Sequence, residues 1–141
     1  MTFTVFLFLV RKPTLSPEQF TEYYETTHIS LLRSLVGQEL MPPHFTRQYF
    51  ARTYRQGFGG PANRNNPLLM LRGNAEEFEY DAMAQMTWEC ESLFQKFYKA
   101  IYERDAAAKI AADEDHFLEP GTLKAVVVGE TIERSGEVAS L

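Results

Sequence analysis

Hydrophobic and polar positions change period several times along this chain, and each change marks an element. Phe3 to Val10 is a continuous apolar run closed by Lys12-Pro13. Such a run predicts a strand buried on both faces, and so central in its sheet. From Leu15 the period becomes helical. Phe20, Tyr24, His28, Leu31, Leu32 and Leu35 fall on one face at 3.6-residue spacing, while Glu18, Glu22, Glu25 and Arg33 fall elsewhere. The helix start is spelled out residue by residue. Ser16 stands at the N-cap, Pro17 at N1 and Gln19 at N3, where it closes a capping box. Leu15 and Phe20 are placed for a hydrophobic staple, and Gly37 stands where a left-handed C-cap is wanted.

After Met41-Pro42-Pro43 the stretch His44 to Tyr54 predicts a second strand. Both of its faces are mixed, Phe45, Arg47, Tyr49 and Ala51 against His44, Thr46, Gln48 and Phe50, so its register stays open. Arg55 to Glu77 contains GFGGPANRNNP, which forbids regular structure. A loop of this length is either a lid, hinged at Gly57, Gly59 and Gly60 with Leu68 to Leu71 as its apolar cover, or a solvated excursion between strands. Phe78 to Trp88 alternates as a third strand, with Phe78, Tyr80, Ala82, Ala84, Met86 and Trp88 on the core face and Glu79 and Asp81 on the other. Glu89 to about Asp105 forms a second helix with Cys90, Leu93, Phe94, Phe97, Ala100 and Ile101 inward. Ala111 to Leu118 makes a short extra turn, Leu123 to Gly129 a last strand, and residues 131–141 a polar tail.

The order is β-α-β-β-α-β, a ferredoxin-like α+β fold. It predicts a four-stranded antiparallel sheet with both helices on one face, in a single domain over residues 1–130. The other sheet face then needs cover, and a second copy packed sheet to sheet supplies it, making a homodimer. The acids Glu79 and Asp81 on that face are the weak point of the arrangement, since they need partners or a place at its edge.

Composition adds limits. The chain has 141 residues, 45% hydrophobic and 23% charged, which is ordinary globular composition. A net charge of −5 without a basic cluster argues against nucleic acid as a partner. The single Cys90 allows no internal disulfide, and its place on the helix stripe suits an inert core thiol. MTFTVFLFLV carries its positive charges after the apolar run and is too short to span a bilayer, which fits a soluble cytoplasmic protein with no membrane partner. There is no phosphate loop, no HExxH and no nucleophile elbow. His28, His44 and His116 lack metal-ligand spacing, so neither a metal nor another cofactor is expected.

What remains is a set of polar groups able to face a cavity between helices and sheet. His28 and Tyr24 come from the first helix, His44, Arg47 and Tyr49 from the second strand, and Asp115 and His116 from the short helix. They suit general acid–base work without a cofactor, with His28 and His116 as catalytic candidates and the others as substrate-binding ones. The bland reading stands beside this one. His28 in an apolar stripe is also what a hydrogen-bonded core histidine looks like, and His116 beside carboxylates is also what a surface histidine looks like.

The stretch FLVRKPTLSPEQFTEYYETTHISLLRSL resembles the opening of the EthD family, with its K-P-x-x-S-P-E-x-F turn followed by Y-W-x-x-x-H-x-x-L. The matching residues are Lys12, Pro13, Ser16, Pro17, Glu18, Phe20, Tyr23, Tyr24, His28 and Leu31, with Tyr24 in place of the usual Trp. HFTRQY and ADEDHFLEP are also similar to segments of small fungal members found among polyketide-tailoring proteins. The resemblance implies a dimeric α+β barrel and a cofactor-free lyase that decarboxylates an aromatic polyketide acid in secondary metabolism. Relatives of that fold act as cyclases or dehydratases, or as cofactor-free monooxygenases. A non-catalytic dimeric module that binds a small aromatic is the alternative outside enzymes.

Overall fold

The computed structural model of the chain describes residues 1–53 and 66–134. Four antiparallel strands, β1 (Phe3–Leu9), β2 (His44–Tyr49), β3 (Ala82–Trp88) and β4 (Lys124–Val127), form one sheet in the order β2-β3-β1-β4. The doubly apolar β1 is thus interior to the sheet, paired with β3 and β4. All the long helices pack on one face, as the ferredoxin-like order requires.

The first helix begins as its residues dictate. The backbone N–H of Gln19 donates to Ser16 Oγ at 3.1 Å, and the N–H of Ser16 donates back to Gln19 Oε1 at 2.8 Å. It then departs from a regular α-helix. α1 (Pro17–Tyr23) passes into a π-helical turn over Tyr24–His28 before α2 (Ile29–Val36) resumes. The buried stripe is Phe20, Tyr24, His28, Leu32 and Val36, with Ile29 beside it, whereas Leu31 and Leu35 are half-buried. A regular helix drifts about 40° for every four-residue step. The extra residue held in the π turn takes up that drift, so the stripe keeps steps of four where 3.6-residue spacing predicts Leu31 and Leu35. At the far end Gly37 has φ +90° as foreseen, but ψ of 147° takes the chain out extended rather than through a left-handed cap. A Cβ there would also meet Glu39 Oε1 at 2.8 Å.

Pairing settles the register of β2. Phe45, Arg47 and Tyr49 lie opposite Met86, Ala84 and Ala82 on the helix side, which puts His44, Thr46 and Gln48 outside. β3 is shorter than its alternation suggests and starts at Ala82. Tyr80 turns instead against the outward Phe8, ring centroids 5.3 Å apart. The two acids expected on the outer face have partners: Asp81 pairs with Arg11 and Arg52, and Glu79 with Lys124. Residues 66–71 run back along 51–53, with Leu69 N–H donating to the Ala51 carbonyl at 2.8 Å. Leu69 and Leu71 are exposed, Leu68 and Met70 are half-buried, and none of the four lines the cavity between helices and sheet. The hinge glycines Gly57, Gly59 and Gly60 lie outside the described residues.

The second helix is two helices. α3 (Glu91–Ile101) stops at Tyr102, and α4 (Arg104–Glu114) starts anew from Glu103, whose side chain accepts from Ala106 N–H at 3.0 Å. α4 is therefore much longer than the short turn expected at Ala111–Leu118, and it begins earlier. Its inward line runs Ala106, Ile110, Asp113 and on to Phe117 just beyond its end, and this line places the chemistry of the site.

Candidate functional site

Between the helices and the sheet lies a cavity of ≈ 640 Å³. Leu9, Met86 and Trp88 of the sheet and Phe97 and Phe117 of the helical side make it apolar. Its polar side chains are Tyr24, His28, Tyr98, Tyr102 and Glu114. Tyr98, Tyr102, Leu123 and Val127 are among the exposed members of its wall and mark the side on which it opens to solvent.

His28 is buried, 7% exposed, with the ring of the fully buried Phe117 at 4.8 Å and Tyr24 at 5.9 Å. Its Nδ1 meets Asp113 Oδ2 at 2.8 Å, and Tyr23 Oη donates to the other oxygen, Oδ1, at 2.6 Å. A carboxylate only accepts, so the ring proton sits on Nδ1, and Nε2 keeps its lone pair. Burial pulls the His28 pKa below its ordinary value, against the opposing pull of Asp113. The imidazole is therefore neutral at pH 7 and available as a base. Tyr23 is pushed up to about 12 by burial and by its hydrogen bond to Asp113, so it stays a donor. Burial also raises Tyr24, which remains a neutral phenol.

Tyr24 and His28 therefore stand in the cavity as expected of them by position, and the other candidates do not. Arg47 and Tyr49 face the helices but are taken by Glu25. Arg47 Nε and Nη2 grip its two oxygens at 2.9 and 2.6 Å, and Tyr49 Oη donates to Oε2. The π turn brings Glu25 over β2, which the helical wheel places away from the stripe. His44 is exposed on the outer sheet face because the β2 register turns even-numbered residues outward. Asp115 and His116 are exposed in the turn after α4, where the Asp115 carbonyl accepts from Lys12 Nζ at 2.7 Å and the His116 ring lies 5.9 Å from Tyr23.

Tyr23, Asp113 and Glu114 are what sequence reasoning missed. Asp113 carried a signal: counting by helical steps from Ala106 through Ile110 lands on it. The alanine-rich run 106–112 favours a helix long enough to make that count valid. Among the described residues no three His, Cys, Asp or Glu side chains converge to hold a metal ion, and no helix is long and apolar enough to cross a membrane.

A ferredoxin-like sheet roofed by helices, with a carboxylate-bound histidine lining the apolar cavity between them, defines the class. The chain belongs to the EthD domain family, whose model matches residues 12–121. An EthD-like protein from Ralstonia eutropha JMP134 has the same fold, with a TM-score of 0.51 at 16% identity over 96% of this chain and 97% of that one. An EthD family protein from Bacillus halodurans C-125 gives 0.48 at 17% identity over 93% and 100%. Hydroxynitrile lyase from Passiflora edulis gives 0.49 at 13% over 94% and 97%. No protein of curated function matches the sequence.

Proposed function

We propose that this protein is a cofactor-free lyase that decarboxylates an aromatic carboxylic acid of the polyketide type, in secondary metabolism. One observation carries the reading: a neutral, buried imidazole, oriented by a carboxylate at 2.8 Å, in the wall of an apolar cavity. A cavity of ≈ 640 Å³ is of the size that holds a multi-ring ligand. Its apolar wall strips water from a bound carboxylate, which favours the form that leaves as neutral CO2. His28 Nε2 takes the proton of a ring hydroxyl beside the carboxylate, and Asp113 steadies the imidazolium. The imidazolium returns that proton to the ring carbon that bears the carboxylate. The C–C bond then breaks, its electrons go back into the ring as phenolate, CO2 departs, and solvent supplies the last proton. His28 is thus base and acid in turn.

Mass spectrometry of the product tests this. Loss of CO2 supports decarboxylation. Loss of water, an unchanged mass with a new ring, or uptake of oxygen supports a dehydratase, a cyclase or a monooxygenase instead. Saturable binding with no turnover supports a binding module. His28→Ala is expected to cost about 10²–10⁴-fold in rate, roughly 3–5 kcal/mol of barrier, with the fold kept. A folded variant as fast as the parent makes His28 structural.

The proposal includes a homodimer through the outer sheet face. Phe6 and Phe8 of β1, Met83 of β3 and Val126 of β4 make that face apolar, and Asp81 and Glu79 have their charges paired, with Arg11 and Arg52 and with Lys124. An interface above about 1,200 Å² is expected. Light scattering at micromolar concentration reads it, and a monomer there removes the dimer.

A further inference from the structure

Glu114 is the carboxylic side chain in the cavity wall, and this proton path leaves it unused. It follows Asp113 on α4, and neighbours on a helix diverge by about 100°. Asp113 goes to Tyr23 and His28, while Glu114 stands in the cavity wall. Among the described residues nothing hydrogen-bonds its carboxyl. A half-buried polar group in an apolar wall costs free energy until it is paired. Burial and the nearby carboxylates of Asp115 and Asp113 all raise its pKa, and no cation offsets them. The carboxyl is thereby moved toward its protonated form, which donates a hydrogen bond as well as accepting one. Tyr24 and Tyr102, both in the cavity wall, lie near enough to feel its charge.

We infer that Glu114 is the second anchor of the cavity: its carboxyl hydrogen-bonds an oxygen substituent of the aromatic ligand and so selects oxygenated rings over bare ones. The inference rests on the reading of the cavity as an aromatic site. Filling a cavity with such a ring satisfies its apolar wall, but a ring without oxygen leaves Glu114 buried and unpaired, and that penalty is the source of discrimination.

Trp88, the single tryptophan of the sequence, lines the cavity, so its fluorescence reports filling without turnover. The experiment titrates the protein with dihydroxyanthraquinone and with anthracene, which has a three-ring frame but no oxygen. Glu114→Leu is expected to lose about tenfold in affinity for the hydroxylated probe. Glu114→Gln, which keeps both the shape and a donor, is expected to stay near the parent. Anthracene is expected to bind Glu114→Leu at least as well as the parent. Equal binding of the hydroxylated probe by parent and Leu variant overturns the inference. So does an equal loss for both probes, which marks a packing role, or no response of Trp88 to either. If the probe preference holds while no acid loses CO2, the anchor stands and the lyase reading falls. Turnover with indifferent Glu114 variants strikes the anchor alone.

Discussion

The π turn Tyr24–His28 belongs to two polar clusters at once, one on each side. Toward α4, His28 meets Asp113, which also holds Tyr23; toward β2, Glu25 meets Arg47 and Tyr49. The parts are alike: a carboxylate, a tyrosine that donates to it, and a nitrogen donor. The difference lies in that nitrogen donor and its surroundings. Arg47 is always charged, grips with two nitrogens, and is raised further by Glu25, so that cluster holds its protons fast. His28 is lowered by burial below its ordinary value and so rests as a neutral imidazole that can take up a proton, and it lines the cavity. One cluster fastens the helix to the sheet, and the other is able to move a proton. A constellation of tyrosine, carboxylate and nitrogen donor therefore says little about chemistry until burial and the identity of the donor are known.

Beyond His28 itself, the largest expected effect comes from removing the carboxylate of the mobile cluster. Asp113→Asn keeps the shape but takes away the charge that steadies His28 as imidazolium, and kcat/KM should fall about 10²-fold. The pH profile gives the sign. Asp113 raises the His28 pKa against burial, so its loss lets burial pull that pKa lower. The acid limb of kcat/KM, already below 6.5 in the parent, should move to lower pH in the variant. Stability follows the same linkage. Below 6.5 the unfolded chain binds a proton that folded His28 refuses, so stability falls as pH drops from there toward the folded value. A variant with the parent's acid limb would place the titrating base elsewhere.

A smaller effect, on another observable, belongs to the fastening cluster. Glu25→Gln loses one partner of a bidentate pair whose side chains are 31% and 25% exposed. Partial exposure keeps the expected cost to about 1 kcal/mol, read by chemical denaturation. Arg47 lowers the Glu25 pKa, so the stabilisation is present above the ordinary carboxylate range and is lost as pH falls through the depressed value. The difference between parent and variant should therefore shrink in acid. Activity should change by less than about threefold. A loss as large as that of Asp113→Asn would make Glu25 part of the chemistry and end the distinction.

How much of this was readable beforehand depends on whether the signal was local. The capping box at Ser16 and Gln19 is made by side chains three apart, and both the start of the helix and the burial of Tyr24 and His28 followed from it and from the stripe. Element order sufficed for the topology, because a ferredoxin-like chain has few other ways to bury a doubly apolar β1. The π turn was not readable: it is chosen by packing, with His28 and Tyr24 held under Phe117 and Glu25 drawn to β2, and 3.6-residue spacing has no place for the extra residue. Arg47 and Tyr49 looked available because their partner, Glu25, sits 22 and 24 positions away on another element. Sequence pattern alone favours Asp115 and His116 over Asp113, because a short turn at Ala111–Leu118 sets no helical phase. Missing its start at Arg104 shifted the inward carboxylate by two positions.

The smallest expected effect gives the finest test of the mobile cluster, because its sign opposes that of Asp113→Asn. Tyr23 donates to Asp113 Oδ1 at 2.6 Å, while His28 occupies Oδ2. That donation spreads the negative charge of the carboxylate and weakens its pull on the imidazole proton. With its pKa pushed up to about 12, Tyr23 remains a donor throughout the neutral range, so this damping is constant across an activity profile. Tyr23→Phe removes it and leaves the ring stack on Phe117, at 5.4 Å, in place. The acid limb of kcat/KM should then move up by a few tenths of a pH unit, with the rate at its plateau down by roughly threefold, the cost of a less firmly held Asp113. Two pH profiles measured side by side decide it. Tyr23→Phe should shift the limb up and Asp113→Asn should shift it down, and a shift in the same direction for both would mean that Tyr23 serves the fold without tuning His28.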